Sequence, residues 1–330
     1  MGMNTRNLRF RSNCVRDILL LYHEELDGVY GSGEVGAFLT MLFEAFLGWG
    51  KVRLLTSKEQ TIDQSDLLRF HWALEDLKQY RPIQHIIGYT DFCGCRIVVS
   101  PDVLIPRSET EEIVDWITSY MSYGESEVNR NSIETQPKLN RRNIGGTSEL
   151  GRRNTEGRPK LIDLCTGSGC IAIALKKAFP QADVTAVDIS SAALKIAQKN
   201  AQSNDVEVRF LQGNVLNDIN GLNGVDGFYG LIVSNPPYVM ESERAQMQRN
   251  VLDYDPELAL FVPDDDPLRF YRAIAAIAKH HLDKDGLLVV EINEALADET
   301  CEVIKAAGLA PTVHDDFRGK HRWISAVWNP

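Results

Sequence analysis

The sequence predicts an α/β protein: a Rossmann-like, doubly wound sheet with a small helical domain on its N-terminal side. Three observations predict it. Apolar residues in the first eighty positions recur at helical spacing, the chain from Lys160 onward alternates strand and helix patterns, and a hairpin signature lies between the two. At 330 residues the chain exceeds the usual size of one domain, so two cores are expected.

Ser12 is placed to cap a first helix with Val15, Ile18, Leu19, Tyr22 and Leu26 on one stripe. Ser32 is placed to cap a second, with Val35, Phe38, Leu39, Leu42, Phe43, Phe46 and Leu47 aligned. A third starts near Asp63 or Ser65, carries Leu67, His71, Leu74 and Leu77, and must stop before Pro82. Three amphipathic helices need a shared core, which predicts a helical domain. His71, alone on an apolar stripe, reads as a core residue rather than a ligand.

Tyr89 to Phe92, a Cys93-Gly94 turn and Arg96 to Val99 read as a β-hairpin. Cys93 and Cys95 lack a second cysteine or histidine pair at zinc spacing, so no metal is expected. A helix follows from about Glu109 to Tyr123. Gly124 to Arg158 contains five aliphatic residues and no aromatic one, too little to bury a core, and reads as a solvated insertion. From Lys160 the strands Leu161–Leu164, Val184–Val187, Val206–Phe210, Gly230–Val233 and Leu287–Ile292 are separated by the helices Ile171–Phe179, Ala192–Gln202 and Leu268–His281, with Ala297–Ala307 last. Parallel strands with crossover helices on both faces give a doubly wound sheet whose ligand crevice lies at the strand C-terminal ends. The division is 1–88 helical, 89–110 a β-hairpin linker, and 111–330 the doubly wound domain, with 124–158 a flexible insertion.

Charge and composition narrow the function. The formal net charge is −11, and both regions expected to fold are net negative. A nucleic-acid substrate, which calls for a concentrated cationic surface, is therefore not expected. The most apolar stretch, Ala37 to Gly50, is interrupted by Glu44 and too short to span a bilayer. Six scattered cysteines and no secretory signal pattern point to a reducing cytoplasm.

The chemistry sits at two strand ends. Asp163-Leu164-Cys165-Thr166-Gly167-Ser168-Gly169 leads from the first strand into a helix, where glycines allow close backbone approach to a ligand and the helix end offers free N–H groups. Asp188 ends the second strand, where a carboxylate accepts the ribose hydroxyls of an adenosine cofactor. That pairing suits nicotinamide enzymes and enzymes using S-adenosyl-L-methionine equally. The fourth strand separates them. It runs into Ser234-Asn235-Pro236-Pro237-Tyr238, whose prolines fix the backbone so that the Asn235 side chain and the Pro236 carbonyl converge as two acceptors. Such a pair holds a planar –NH2 group, orients its delocalised lone pair at a sulfonium methyl and stabilises positive charge as it develops. A hydride-transfer enzyme has no use for that clamp.

These residues resemble the release-factor glutamine N5-methyltransferases, the PrmC/HemK family. The likeness extends through Arg81-Pro82-Ile83-Gln84-His85-Ile86-Ile87-Gly88, Phe92-x-Gly94 and Val103-Leu104-Ile105-Pro106-Arg107-Ser108-Glu109-Thr110. Pro256, Ala259-Leu260, Tyr271-Arg272, Glu291-Ile292 and Asp316-x-x-Gly319-x-x-Arg322 follow in order. The resemblance implies a class I methyltransferase domain and an N-terminal domain that holds the substrate, a class 1 peptide chain release factor whose Gly-Gly-Gln glutamine is methylated. It implies Asp163, Thr166, Gly167 and Gly169 around the methionine moiety, Asp188 on the ribose and Asn214 near the adenine. Asn235 and Pro236 would hold the glutamine amide, with Pro237 and Tyr238 beside it, and Arg107 and Thr110 would close the cofactor pocket. A monomer is expected. Cys165, Asn214, Ser108 and Asn293 depart from the family pattern, which has glycine, aspartate, proline and glycine there. The clamp alone leaves two other acceptors open: a glutamine of a ribosomal protein, and the amino group of a flipped nucleobase.

Overall fold

The computed structural model describes residues 10–123, 158–217 and 224–329. The expected insertion, apart from Arg158, lies outside the described residues. The chain forms two compact units, Met1–Gly88 with Gln248–Tyr254, and Tyr89–Met247 with Asp255–Pro330.

The first unit holds α1 (Val15–Tyr30), α2 (Ser32–Leu47), α3 (Lys51–Thr56), α4 (Gln64–Lys78) and α5 (Ile83–Ile87); α1, α2 and α4 are the three helices that the spacing predicts, and the short α3 and α5 are additions to them. Val15, Ile18, Tyr22 and Leu26 of α1 meet Val35, Leu39, Leu42 and Phe43 of α2 and Leu67, Leu74 and Leu77 of α4 in one core. Phe70, rather than His71, is the aromatic centre of α4. Its ring contacts those of Tyr22, Phe43 and Phe46, and its carbonyl accepts the buried Tyr22 hydroxyl at 2.6 Å. His71 is half-buried at the edge of that core, against Phe10 and Trp72. Ser12 is not the cap of α1: Cys14 occupies that position, and the Ser12 hydroxyl accepts from the Cys14 N–H and donates to Asp17. Ser32 opens α2 one residue after Gly31, whose φ of +81° suits glycine. A short helical turn at Arg249–Leu252 completes this unit, with the Arg249 guanidinium 4.5 Å from the Tyr80 ring centre and the Tyr254 hydroxyl donating to the Gln79 carbonyl.

The second unit opens with β1 (Tyr89–Phe92) and β2 (Cys95–Val98), paired antiparallel with Phe92 opposite Cys95. Cys93 and Gly94 both have positive φ, the two-residue turn that matches strand twist. The hairpin contributes Phe92, Cys95 and Ile97 to the core of this unit. There follow α6 (Ser108–Tyr123), β3 (Lys160–Leu164), α7 (Cys170–Ala178), β4 (Asp183–Asp188), α8 (Ser191–Ser203), β5 (Arg209–Gln212) and β6 (Tyr229–Ser234). After β7 (Val239–Met240) and β8 (Phe261–Val262) come α9 (Arg269–His281), β9 (Leu282–Glu291), α10 (Ala297–Ala306), β10 (Leu309–Asp315) and β11 (His321–Trp328).

The main sheet has the order β10-β11-β9-β6-β3-β4-β5. The five strands from β9 through β6, β3 and β4 to the edge strand β5 pair parallel, and neighbouring residues on one strand enter opposite cores. Leu161, Leu231 and Val289 face Ile113, Ile117 and Ile171, whereas Ile162, Ile232 and Val290 face Tyr271, Ile274 and Ile304. Two features correct the sequence reading. β11 runs antiparallel to both β9 and β10, so the sheet is mixed, and β5 begins three residues later than expected. Strand order reverses at β3, which has β4 on one side and β6 on the other, so the crevice opens beyond the C-terminal ends of β3 and β6.

Candidate active site

Leu164 and Ser234 are the last paired residues of β3 and β6, which brings the glycine loop and the Asn235-Pro236-Pro237-Tyr238 segment side by side. Between them lies a cavity of about 490 Å³, in the range of small-molecule sites. Arg107, Thr110, Thr166, Gly167, Asp188, Asn214, Asn235 and Pro237 all line it. Asp163, Gly169, Pro236 and Tyr238 do not line it; Asp163 hydrogen-bonds the lining residue Thr166, and Gly169, Pro236 and Tyr238 each adjoin a lining residue in the chain.

The loop after β3 is braced from below and from the side. Asp163, 1% exposed, accepts the Thr166 hydroxyl at 2.5 Å, and burial pushes its carboxyl up to about 7. Gly167 has φ +54° and no atom within 4 Å of where a Cβ would stand, while its N–H donates to Asp188 Oδ2 at 2.8 Å. Gly169, at φ +80°, sits so close to α8 that a Cβ would lie 2.9 Å from that of Ala197. Cys165 takes the left-handed φ of +60° without being glycine, which accounts physically for glycine as the usual residue there. Burial and the nearby Asp188 charge push its thiol up.

Asp188 accepts the Gly167 N–H on one oxygen and the Ser190 N–H on the other, leaving further lone pairs on a carboxylate that lines the cavity. Burial pushes its pKa up, opposed by those backbone donors. The side-chain oxygen of Asn214 accepts the Leu216 N–H at 3.0 Å, so it shapes its own turn as well as facing the cavity. Arg107 makes a 2.5 Å ion pair with the buried Asp255.

The site also contains a polar chain not anticipated from the residue pattern. Asn235 Nδ2 donates to Thr110 Oγ1 at 3.2 Å, Thr110 Oγ1 donates to Glu291 Oε2 at 2.7 Å, and the Tyr238 hydroxyl donates to Glu291 Oε1 at 2.9 Å. Glu291 is 2% exposed at the end of β9. The signal was a lone charge ending the apolar run Leu287 to Val290: a buried carboxylate needs donors, and the end of a doubly wound strand is where they gather. Burial and the Glu291 charge keep the Tyr238 phenol protonated. Asn293 donates to the Tyr238 carbonyl at 3.2 Å and to Glu243 at 2.9 Å, a tie that the usual glycine could not make.

The cavity fits an adenosyl sulfonium: it is lined by the Asp188 carboxylate, the open backbone of Gly167, and apolar walls from Val187, Ile189, Val215 and Phe270. Among the described residues no group of three potential metal ligands occurs.

Two family models match the chain, the methyltransferase small domain over residues 149–253 and the PrmC N-terminal domain over residues 31–88. The release factor glutamine methyltransferase of Flavobacterium psychrophilum is 36% identical over 303 residues, covering 91% of this chain and 94% of its own length. That of Bacteroides thetaiotaomicron is 37% identical over 304 residues, covering 92% and 96%. That of Chlorobaculum tepidum is 31% identical over 289 residues, covering 87% and 88%. With near full-length likeness to these enzymes and a methyltransferase fold built around the cavity, the chain belongs to the release factor glutamine methyltransferase family.

Proposed function

We propose that the protein transfers the methyl group of S-adenosyl-L-methionine to the side-chain amide nitrogen (N5) of the glutamine in the Gly-Gly-Gln motif of class 1 peptide chain release factors. The observation that carries this reading is the juxtaposition of Asn235 and the glycine loop across one cavity at the β3–β6 strand ends. Bound there, S-adenosyl-L-methionine would supply an electrophilic methyl on a sulfonium; the amide nitrogen would gain that methyl in exchange for the C–S bond and would then release a proton to water. Asp188 would hold the ribose, Thr166 and Gly167 the methionine end, and Asn214 the adenine edge. Arg107 and Thr110 would form the wall opposite the loop, with Asp163 and Gly169 supporting the loop from behind.

The chain's own contribution is positioning. Asn235 Oδ1 and the Pro236 carbonyl would accept the two N–H groups of the amide, aligning its lone pair and stabilising charge that develops only in the transition state. Pro237 and Tyr238 would wall the glutamine side chain. No strong base is needed, because the nitrogen becomes acidic only as it is alkylated. The helical unit is assigned to hold the release factor, and the enzyme to act as a monomer in the cytoplasm. Among the described residues no helix is long and apolar enough to cross a membrane.

The test is incubation with labelled S-adenosyl-L-methionine and a release factor, the same factor with its Gly-Gly-Gln glutamine replaced, a large-subunit ribosomal protein fraction, or duplex DNA, followed by mass spectrometry. Label on that glutamine alone supports the proposal. Label on the DNA or on the ribosomal proteins would replace it.

A further inference from the structure

The polar chain behind the clamp has a direction. A serine or threonine hydroxyl has one proton to give, and Thr110 gives it to Glu291. Its oxygen is then left as an acceptor, and the Asn235 group facing it must be the –NH2 end. Asn235 Oδ1 is therefore turned away from Thr110, and Asn235 lines the cavity. Glu291 receives a second donor from Tyr238 on its other oxygen, so both of its oxygens act as acceptors. Burial pushes its carboxyl up, while the two donors and the Arg322 guanidinium oppose that shift.

Were the group at this position able to donate, Thr110 could receive that proton and give its own to Asn235. The amide would then turn over and present –NH2 to the substrate. Such a clamp would face an amide's N–H groups with its own donors, and would suit a carboxylate better than an amide. The end of β9 thereby sets the sign of a contact two hydrogen bonds away.

We infer that Glu291 is a positioning residue that, through Thr110, holds Asn235 with its oxygen toward the target amide and so favours glutamine over glutamate as the methyl acceptor. The inference rests on the amide-clamp reading above. Glu291 touches neither substrate nor cofactor in this scheme, and its effect belongs in turnover rather than in cofactor affinity.

The experiment is single-turnover methylation of a release factor by the full-length protein, with cofactor titration and thermal midpoint measured for each variant. Glu291→Gln replaces one acceptor by a donor at constant size, and Thr110→Val removes the relay hydroxyl at constant size. Each is expected to lower kcat about tenfold or more, and Glu291→Gln, at a residue that does not line the cavity, to change cofactor affinity less than about threefold. Thr110→Ser, which keeps the hydroxyl, should recover most of the rate lost in Thr110→Val. Because both act on one chain, the double variant should be no slower than the worse single variant, whereas independent contributions would multiply. Wild-type turnover in Glu291→Gln, multiplying losses, or a loss confined to cofactor affinity would each overturn the relay. Wild-type protein that leaves the release factor unmodified would instead overturn the function on which it rests. If Thr110→Val fails to fold, Glu291→Gln with its split between turnover and affinity decides the matter.

Discussion

The Ser234 hydroxyl donates to the Leu164 carbonyl at 2.7 Å, joining the last residues of the two strands whose ends build the site. Those strands already share a backbone ladder, so this bond acts where the ladder stops and the two loops begin.

Ser234→Ala should cost about 1–2 kcal/mol, since it leaves a buried carbonyl with one partner fewer. The expected shift in Tm is about 2–6 °C, read by calorimetry. An unchanged midpoint would show that the ladder alone holds the two strand ends together.

Asn235→Ala removes one of the two acceptors while the glycine loop and Asp188 remain. Loss of one preorganised polar contact in comparable sites costs about 10²–10³ in turnover. Cofactor affinity should stay within a few-fold, and Asn235→Asp should not restore the rate, because a carboxylate would attract the sulfonium itself. Near-normal turnover in Asn235→Ala would remove the clamp from the mechanism.

Asp188→Ala should weaken cofactor binding far more than release-factor binding, at roughly 1.5–3 kcal/mol for each hydrogen bond to the charged acceptor. The loss is compounded because the same carboxylate braces Gly167 and Ser190. Isothermal titration with each ligand separates the two effects, and an intact cofactor affinity would take Asp188 out of the ribose position.

Asp163 makes cofactor-free stability depend on pH. Its carboxyl is raised to about 7 in the fold, against roughly 3.9 in the unfolded chain. Between those values the folded state keeps a proton that the unfolded state has lost, so the contribution is complete below about pH 4 and disappears as pH rises through about 7. Asp163→Asn should flatten the slope of unfolding free energy over that interval, by an amount on the order of a few kcal/mol. Parallel slopes for the two proteins would show that Asp163 is ionised in the fold.

Cys165 stands where left-handed backbone costs a side-chain-bearing residue roughly 1–2 kcal/mol. Cys165→Gly relieves that strain but loosens the unfolded chain, so its stability should lie within about 1 kcal/mol of wild type. Cys165→Val, β-branched at a positive φ, should lose about 2 kcal/mol or more in urea unfolding. The reverse ranking would mean that the loop shifts to accommodate valine.

Helix spacing and the strand alternation were legible because each depends on neighbours in sequence. Leu161 and Ile162 already declare a strand buried on both faces, and Cys93-Gly94 already declares a tight turn. Asn235 and Asp188 were legible as site candidates because a doubly wound sheet collects its strand ends. What depended on distant partners was hidden. Pro311 disguises β10, and it is tolerated there because that strand is the sheet edge. Phe70 displaces His71 from the helical core because three rings from α1 and α2 converge on it. Thr110 and Glu291 lie 181 positions apart, and only the closed fold makes them one hydrogen bond.

The grouping of Gln248–Tyr254 with the helical unit has a consequence for how the chain comes off the ribosome. The five helices are all translated before the hairpin, yet Tyr80 and Gln79 meet their partners Arg249 and Tyr254 only after most of the sheet has been made. An early helical unit must therefore wait with part of its surface unmatched. A fragment ended at Gly88 would stay in that waiting state, and adding a peptide spanning Gln248–Tyr254 should raise its thermal midpoint.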